Sequence, residues 1–146
     1  MKNPRLRVEA MIVNKDHSKV LVQCDLNESF YRFPGGSIEF GEPAKEAIIR
    51  ELMEEYDLKI DVQELAVVNE HIFEWNNEKG HHCTLIYWGT VQEMVTNEIR
   101  HKEHENIILI WKSIEELKEK PTYSEGIVSY LEENNHNIVH FVSKNI

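Results

Sequence analysis

The stretch GGSIEFGEPAKEAIIRELMEEYDL, residues 35–58, decides how the chain is read, because it packs a tight turn, a helix start and a run of acids into one short segment. Pro34-Gly35-Gly36 breaks a strand ending at Phe33, since proline lacks the amide donor and paired glycines favour backbone conformations that other residues avoid. Pro43 fits the first turn of a helix, where its missing N–H is not needed. Ala44 to Glu55 contains no further glycine or proline, so a helix of about three turns is expected.

At roughly 100° per residue, Glu51, Glu54 and Glu55 share one narrow arc of that helix, with Ala44 and Ala47 on the same side. Ile48, Ile49, Leu52 and Met53 form the separate arc available for burial, and Glu46 and Arg50 lie between the two. Like charges spaced this way cost a few tenths of a kcal/mol per pair, and the negative end of the helix dipole adds to the penalty. A bound cation removes that cost. Carboxylates without sulfur or imidazole at matching spacing suit a hard ion, Mg²⁺ or Mn²⁺, rather than zinc. The bland alternative is a solvated acidic helix face.

The fuller pattern decides between them. Gly36, five residues, Glu42, seven residues and then Arg50-Glu51-Leu52-Met53-Glu54-Glu55-Tyr56-Asp57-Leu58 resembles the signature of the Nudix hydrolases, G-x5-E-x7-R-E-U-x-E-E-x-G-U with U aliphatic. One fixed position departs: Asp57 stands where the family has glycine, at the helix C-terminus, where a left-handed residue usually ends the helix. Aspartate visits that conformation more readily than most residues, at a cost of roughly 1 kcal/mol and without loss of chemistry. A softer likeness lies in Trp111-Lys112-Ser113-Ile114-Glu115-Glu116-Leu117, similar to the W-x-x-x-E-E-L often seen near the C-terminal end of these domains. The resemblance thus covers about residues 5 to 133.

The resemblance implies an α/β fold, a Nudix-like α/β/α sandwich with a mixed β-sheet, as a single domain over residues 1–146. It implies a nucleoside diphosphate linked to another moiety as substrate, cleaved at the pyrophosphate by water that a divalent ion activates. Glu51, Glu54 and Glu55 become the metal ligands, joined by the carbonyl of Gly36. Arg50 orients these acids through charge-assisted hydrogen bonds, and Glu42 does the same near the helix start. The general base is a glutamate of the motif or an acid from a distant loop; Glu103 and Glu105, in the segment HKEHE at 101–105, are placed in sequence to be that loop. A Nudix-like nucleotide sensor without turnover and an RNA 5′ pyrophosphohydrolase are the competing functions. Loss of a motif acid would favour the first and a basic groove the second, and the sequence has neither. A homodimer is a family expectation.

Composition bounds the rest. At 146 residues and 41% hydrophobic, the chain suits one domain with one core. A net charge of −10, a pI near 5.2 and no dense Lys/Arg block argue against a broad nucleic-acid surface. Cys24 and Cys83 lie in separate apolar runs without CxxC spacing and are expected as small core residues in a reducing compartment. Charges interrupt the apolar run at the N-terminus, and nowhere do eighteen apolar residues follow one another, so a soluble cytoplasmic protein off the membrane is expected. The pair His81-His82 has no second pair of ligands to close a zinc tetrahedron.

Strands are expected at Leu6 to Ile12, with Arg7, Glu9 and Met11 alternating to the outside, and at Lys19 to Cys24 and Phe30 to Phe33. Beyond the helix they recur at Ile60 to Phe73, Thr84 to Val91 and Ile107 to Trp111, with a hairpin loop over Trp75 to Gly80. Ser113 to Glu116 is a capping-box start for a short helix, Ser124 to Glu133 reads as a second, and Ile138 to Val142 as a last edge strand. Tyr31, Phe73, Trp75, Tyr87 and Trp88 are candidate stacking faces for a base, and Arg7 and Arg32 are candidates to hold a distal phosphate.

Overall fold

The computed structural model describes residues 2–133 and 137–146. Ten strands run through the described residues: β1 (Arg5–Val13), β2 (Lys19–Asp25), β3 (Tyr31–Arg32), β4 (Gly35–Ser37), β5 (Ile60–Trp75), β6 (Glu78–Val91), β7 (Ile99–Arg100), β8 (Ile107–Ser113), β9 (Thr122–Tyr123) and β10 (Val139–Asn145). They form one mixed sheet with β1 at its middle, in the order β10-β5-β6-β1-β2-β3-β9, while β4 pairs with β1 and β8 with β2. The helices are α1 (Ala44–Tyr56), α2 (Ile114–Leu117) and α3 (Ile127–Glu133).

The two faces of the sheet carry two cores. Ala47, Ile48, Leu52 and Tyr56 of α1 pack on Val8, Ala10, Ile12, Leu21 and Leu109. Leu117 of α2 and Ile127, Tyr130 and Leu131 of α3 cover Met11, Val22, Val67 and Ile86 on the opposite face. This is the expected α/β/α sandwich. It also explains why strict alternation fails in β1: Met11, expected outside, is fully buried because its face is roofed by α2 and α3 rather than by water.

Where β1 leaves β2, it takes up β4. Ile12 and Val13 pair with Leu21 and Val20, but Arg7 to Glu9 pair with Ser37 to Gly35, while β6 runs parallel to β1 along its other edge. The expected glycine loop is therefore a short strand. Pro34 does break the preceding one, yet its carbonyl accepts from Ala10 N–H at 3.1 Å. Gly35 then lies so close to the Val8 carbonyl that any Cβ would overlap it. Glycine is needed there for close approach rather than for a loop.

Other boundaries differ for local reasons. The β5–β6 turn is confined to Asn76 and Asn77, both at positive φ (51° and 63°), which asparagine tolerates and which suits the twist of a two-residue hairpin. The second C-terminal helix starts at Ile127, not Ser124, and the last strand is Val139–Asn145, parallel to β5 at the sheet edge. The α1 stripe is turned from the expected one: Ala47 is buried and Ile49 exposed, because the acidic side of the helix is itself tucked against β4. Cys24 is buried as expected, but Cys83 is only half-buried; both are free thiols. Among the described residues no helix is long and apolar enough to cross a membrane.

Pro43 is the residue before α1, and its carbonyl accepts from Ala47 N–H at 3.0 Å. At the other end Asp57 is left-handed (φ 54°, ψ 37°), with its N–H on the Met53 carbonyl at 3.0 Å. Its ion pair to Lys102, at 3.8 Å, is between exposed groups and contributes little. Asp57→Gly is therefore expected to leave the melting temperature unchanged or raise it by up to about 1 kcal/mol of stability. Asp57→Val, β-branched at positive φ, is expected to lower it; thermal melts of the two variants check the cap.

Candidate active site

Arg50 emerges from the middle of α1 and reaches back over the turn between β4 and the helix. Its Nε and Nη2 donate to the two oxygens of Glu42 at 2.7 and 2.9 Å, a bidentate pair. Nη1 donates to Glu51 and Glu54, each at 3.1 Å, and Nη2 also reaches the Ser37 carbonyl at 3.2 Å. Glu42 in turn accepts from Glu39 N–H at 3.0 Å. The guanidinium holds the Glu42 carboxyl down at about 2. One cation thus pins the turn to the helix and partly neutralises three acids.

Glu51 and Glu55 face inward on consecutive turns and line a cavity of about 320 Å³ with Arg7, Arg32, Gly36 and His101. Burial pushes the Glu55 carboxyl well above the usual carboxylate range; a hydrogen bond shared with Glu51 and that residue's charge push the same way. Gly36 abuts the Glu51 carboxyl group so closely that a Cβ would occupy the same space. His101 closes the far side. Its Nδ1 accepts from Glu103 N–H and His104 N–H at 3.0 and 3.2 Å, so its proton sits on Nε2, which faces a Glu55 oxygen at 3.5 Å. Burial and His104 hold this imidazole below its ordinary range.

Two arginines face these acids from the sheet. Tyr56 and Gln23 hydrogen-bond in the core, and the Gln23 amide, turned to donate to Tyr56, accepts from Arg32 Nε and Nη2 at 3.0 and 2.9 Å. Arg7 lies 3.7 Å from Glu9, whose carboxyl is pushed up to about 7 by burial against the opposing pull of Arg7 and Arg32. Neither Glu9 nor His101 stands out in the sequence, where one is an ordinary strand alternation and the other one histidine among several.

Of the residues singled out from sequence, Gly36, Arg50, Glu51 and Glu55 come together with Glu42. Glu54 lies on the solvent side of the same helix edge, 57% exposed, with its carboxylate on Arg50. Glu103 and Glu105 are exposed and do not line the cavity; the loop that carries them is held by the His101 ring and by Lys102 N–H on the Glu55 carbonyl at 2.8 Å. The five candidate aromatics are dispersed. Tyr31 is buried, Trp88 stacks on Tyr130 at 6.0 Å, Tyr87 packs towards α1, Phe73 sits between His71 and His82, and Trp75 is at the exposed hairpin tip.

The model of the NUDIX domain matches residues 3–131. The chain belongs to the Nudix family. Solved Nudix structures share its fold over nearly the whole chain. A NUDIX hydrolase from Nitrosomonas europaea superposes with a TM-score of 0.72 at 16% identity, covering 100% of this chain and 80% of that one. A UDP-X diphosphatase gives 0.66 at 20%, covering 95% and 68%, and an ADP-ribose pyrophosphatase from Streptococcus suis gives 0.64 at 15%, covering 94% and 99%.

The Nudix helix offers oxygen donors only. Among the described residues no three His, Cys, Asp or Glu side chains form a ready-made metal cage, since Glu54 is drawn off to Arg50. Yet two carboxylates crowded enough to share a proton, beside a glycine that keeps side-chain atoms away from one of them, fit a hard divalent ion, which would replace that proton. The His101 ring is committed to backbone N–H groups and to Glu55 and is not free to ligate.

The two glycines should separate fold from site. Gly35→Ala collides with backbone and is expected to cost roughly 1–3 kcal/mol or more in a thermal melt. Gly36→Ala meets the end of the Glu51 side chain rather than backbone, so it is expected to melt closer to wild type than Gly35→Ala and to show a smaller rise in melting temperature than wild type when a divalent ion is added.

Proposed function

We propose that this Nudix domain is a divalent-metal-dependent pyrophosphohydrolase acting on a nucleoside diphosphate linked to another moiety. The observation that carries the proposal is the inward-facing Glu51 and Glu55 pair, braced by Arg50 and His101 and set opposite Arg7 and Arg32. Acids and arginines on opposite walls of one cavity suit a ligand that is itself anionic but arrives with cations.

Glu51, Glu54 and Glu55 with the Gly36 carbonyl would hold Mg²⁺, or Mn²⁺ in its place. The ion, when bound, would neutralise charge at phosphorus and lower the pKa of water. Arg50 keeps Glu51 and Glu54 in place without competing for substrate, because its donors are already committed to Glu42, Glu51, Glu54 and Ser37. Arg7 and Arg32 supply fixed positive charge for the diphosphate oxygens, Arg32 with its planar fork oriented by Gln23. His101 holds Glu55 from behind. Glu103 and Glu105 lie on the loop that His101 braces, outside the cavity wall, and would take a proton from attacking water only if that loop brought one of them to the site. The relatives named above as a UDP-X diphosphatase and an ADP-ribose pyrophosphatase support a nucleoside-diphosphate substrate class.

The direct test is phosphate release from nucleoside diphosphate sugars, ADP-ribose, dinucleoside polyphosphates and nucleoside triphosphates, with Mg²⁺ and with chelator. Turnover is expected for at least one nucleoside diphosphate ester with Mg²⁺ or Mn²⁺, poor turnover with Ca²⁺, and none with chelator. Glu51→Gln, Glu54→Gln and Glu55→Gln should each lower kcat/KM by about 100-fold or more, because several kcal/mol of charge stabilisation is at stake. Without metal Glu55→Gln should melt at or above the wild-type temperature, since it relieves the crowding with Glu51, whereas Glu51→Gln and Glu54→Gln each weaken an Arg50 ion pair and should melt at or slightly below it. Near wild-type turnover in Glu51→Gln or Glu55→Gln, or activity that survives chelation, would sink the assignment.

A further inference from the structure

Behind Arg7 and Arg32 a second cavity of about 510 Å³ opens on the sheet face opposite α1, and both arginines line it as well as the acidic one. Its size lies within the roughly 300–1,000 Å³ usual for small-molecule sites. The floor is legible row by row across the ladders. Val139, Val67 and Ile86 stand side by side in the core; the next row is Phe141, Asn69, Thr84 and Arg7; the one after is Ser143, His71, His82 and Arg5. Within two residues along each strand the same face passes from apolar to polar, as a sheet face does where it leaves the core and can meet water or a polar ligand.

The edge of that floor comes from β10, which lies outside residues 3–131, the part that matches the family. Its inward side chains are Val139 and Phe141, both packed on the core, and then Ser143 and Asn145, which reach the cavity. The Asn145 amide nitrogen is fixed 3.2 Å from His71 Nε2. Beside it Asn69, 5% exposed, donates to Ser124 Oγ at 2.8 Å and leaves its amide oxygen without a partner among the described residues. An unmet acceptor in a buried position costs stability unless a ligand donor or a local rearrangement supplies one.

Charge says which part of a ligand belongs here. Burial, Arg7 and Arg5 hold the His82 imidazole down to about 4, so at neutral pH it is an uncharged donor and acceptor. Asn69, Ser143 and Asn145 are neutral too, and Glu125 on the rim repels an anion. Phe30 and Tyr123 supply flat apolar surface. We propose that β10 forms the nucleoside-recognition wall of this enzyme, with Ser143 and Asn145 reading the uncharged half of a nucleoside diphosphate whose phosphates pass over Arg7 and Arg32 towards Glu51 and Glu55. The inference rests on the pyrophosphohydrolase reading and makes a C-terminal strand a specificity element.

Ser143→Leu and Asn145→Leu test it, since both keep the backbone ladder to β5. The measurements are kcat and KM on the best nucleoside diphosphate substrate and on phenyl diphosphate, which has no nucleoside, together with calorimetric Kd for the matching nucleoside 5′-monophosphate without divalent ions. For Asn145→Leu, KM for the nucleotide should rise about tenfold with kcat within about threefold, and the preference for nucleotide over phenyl diphosphate should fall by the same factor. Unchanged preference in both variants, or equal losses on both compounds, overturns the wall. If a leucine variant melts early, the alanine variants at the same positions are read by the same ratio. Should the wild type hydrolyse neither compound, the pyrophosphohydrolase reading fails, and the wall is then judged on monophosphate binding alone: about tenfold weaker Kd in Asn145→Leu sustains it, equal Kd ends it.

Discussion

The guanidinium of Arg50 holds Glu42 with two donors, Glu51 and Glu54 with a third nitrogen, and the end of β4 through the Ser37 carbonyl. Glu51, Glu54 and Glu55, within about one turn of α1, would otherwise repel one another at the end of a helix whose dipole is also unfavourable to them. Hydrogen bonds to charged groups are worth about 1.5–3 kcal/mol each when shielded, and less here because the side chain is partly open to water. Their geometric effect outlasts that discount. Five donors in a rigid plane fix the turn, the helix and the close approach of Gly36 to Glu51 relative to one another, so the cavity wall and the fold share one fastening.

That fastening was readable from the chain because all its parts lie between Ser37 and Glu54, within reach of helical geometry and a spaced pattern. The left-handed end at Asp57 was readable for the same reason. Parts that meet only in three dimensions were not. His101 braces Glu55 from a loop entered after three further strands, and nothing in HKEHE separates it from a solvated run of charge. Glu9 alternates like a surface residue, yet it lies part-buried beside Arg7 on the wall of the larger cavity. Gly35 appeared as a breaker; the strand it sits in exists because only glycine lets β4 approach Val8. The five aromatics expected to meet a base are spread over both layers, while Phe30 and Tyr123, in segments with weak periodicity, line the larger cavity.

The sheet connects the two cavities chemically. Where β1 exchanges β2 for β4, the side chains of Arg7 and Arg32 serve both sides, with Gln23 and Tyr56 tying Arg32 to the helix core. One side is acidic and suited to cations; the other, away from Arg7, Arg32 and the rim carboxylate, offers mostly uncharged hydrogen-bonding groups. An elongated ligand with a charged middle therefore has a direction in this molecule, set by which strand supplies which row of side chains.

The parallel pairing of β1 with β6 joins Arg5 to His82 and Ile12 to Gly89, and that of β10 with β5 joins Val139 to Val67. Both ladders close very long loops, and closure entropy has to be met before such contacts stabilise anything. The contact order of the native state is accordingly high, which places folding in the slow, millisecond-to-second regime of non-local topologies. Helix α1 and the β5–β6 hairpin are local and can form early; the row that holds Arg7 beside Thr84 and Asn69 cannot. The acid-bearing helix is thus a local element, while its arginine counterweights are placed by contacts that span most of the chain, so the helix keeps its charges balanced only in the fully assembled sheet.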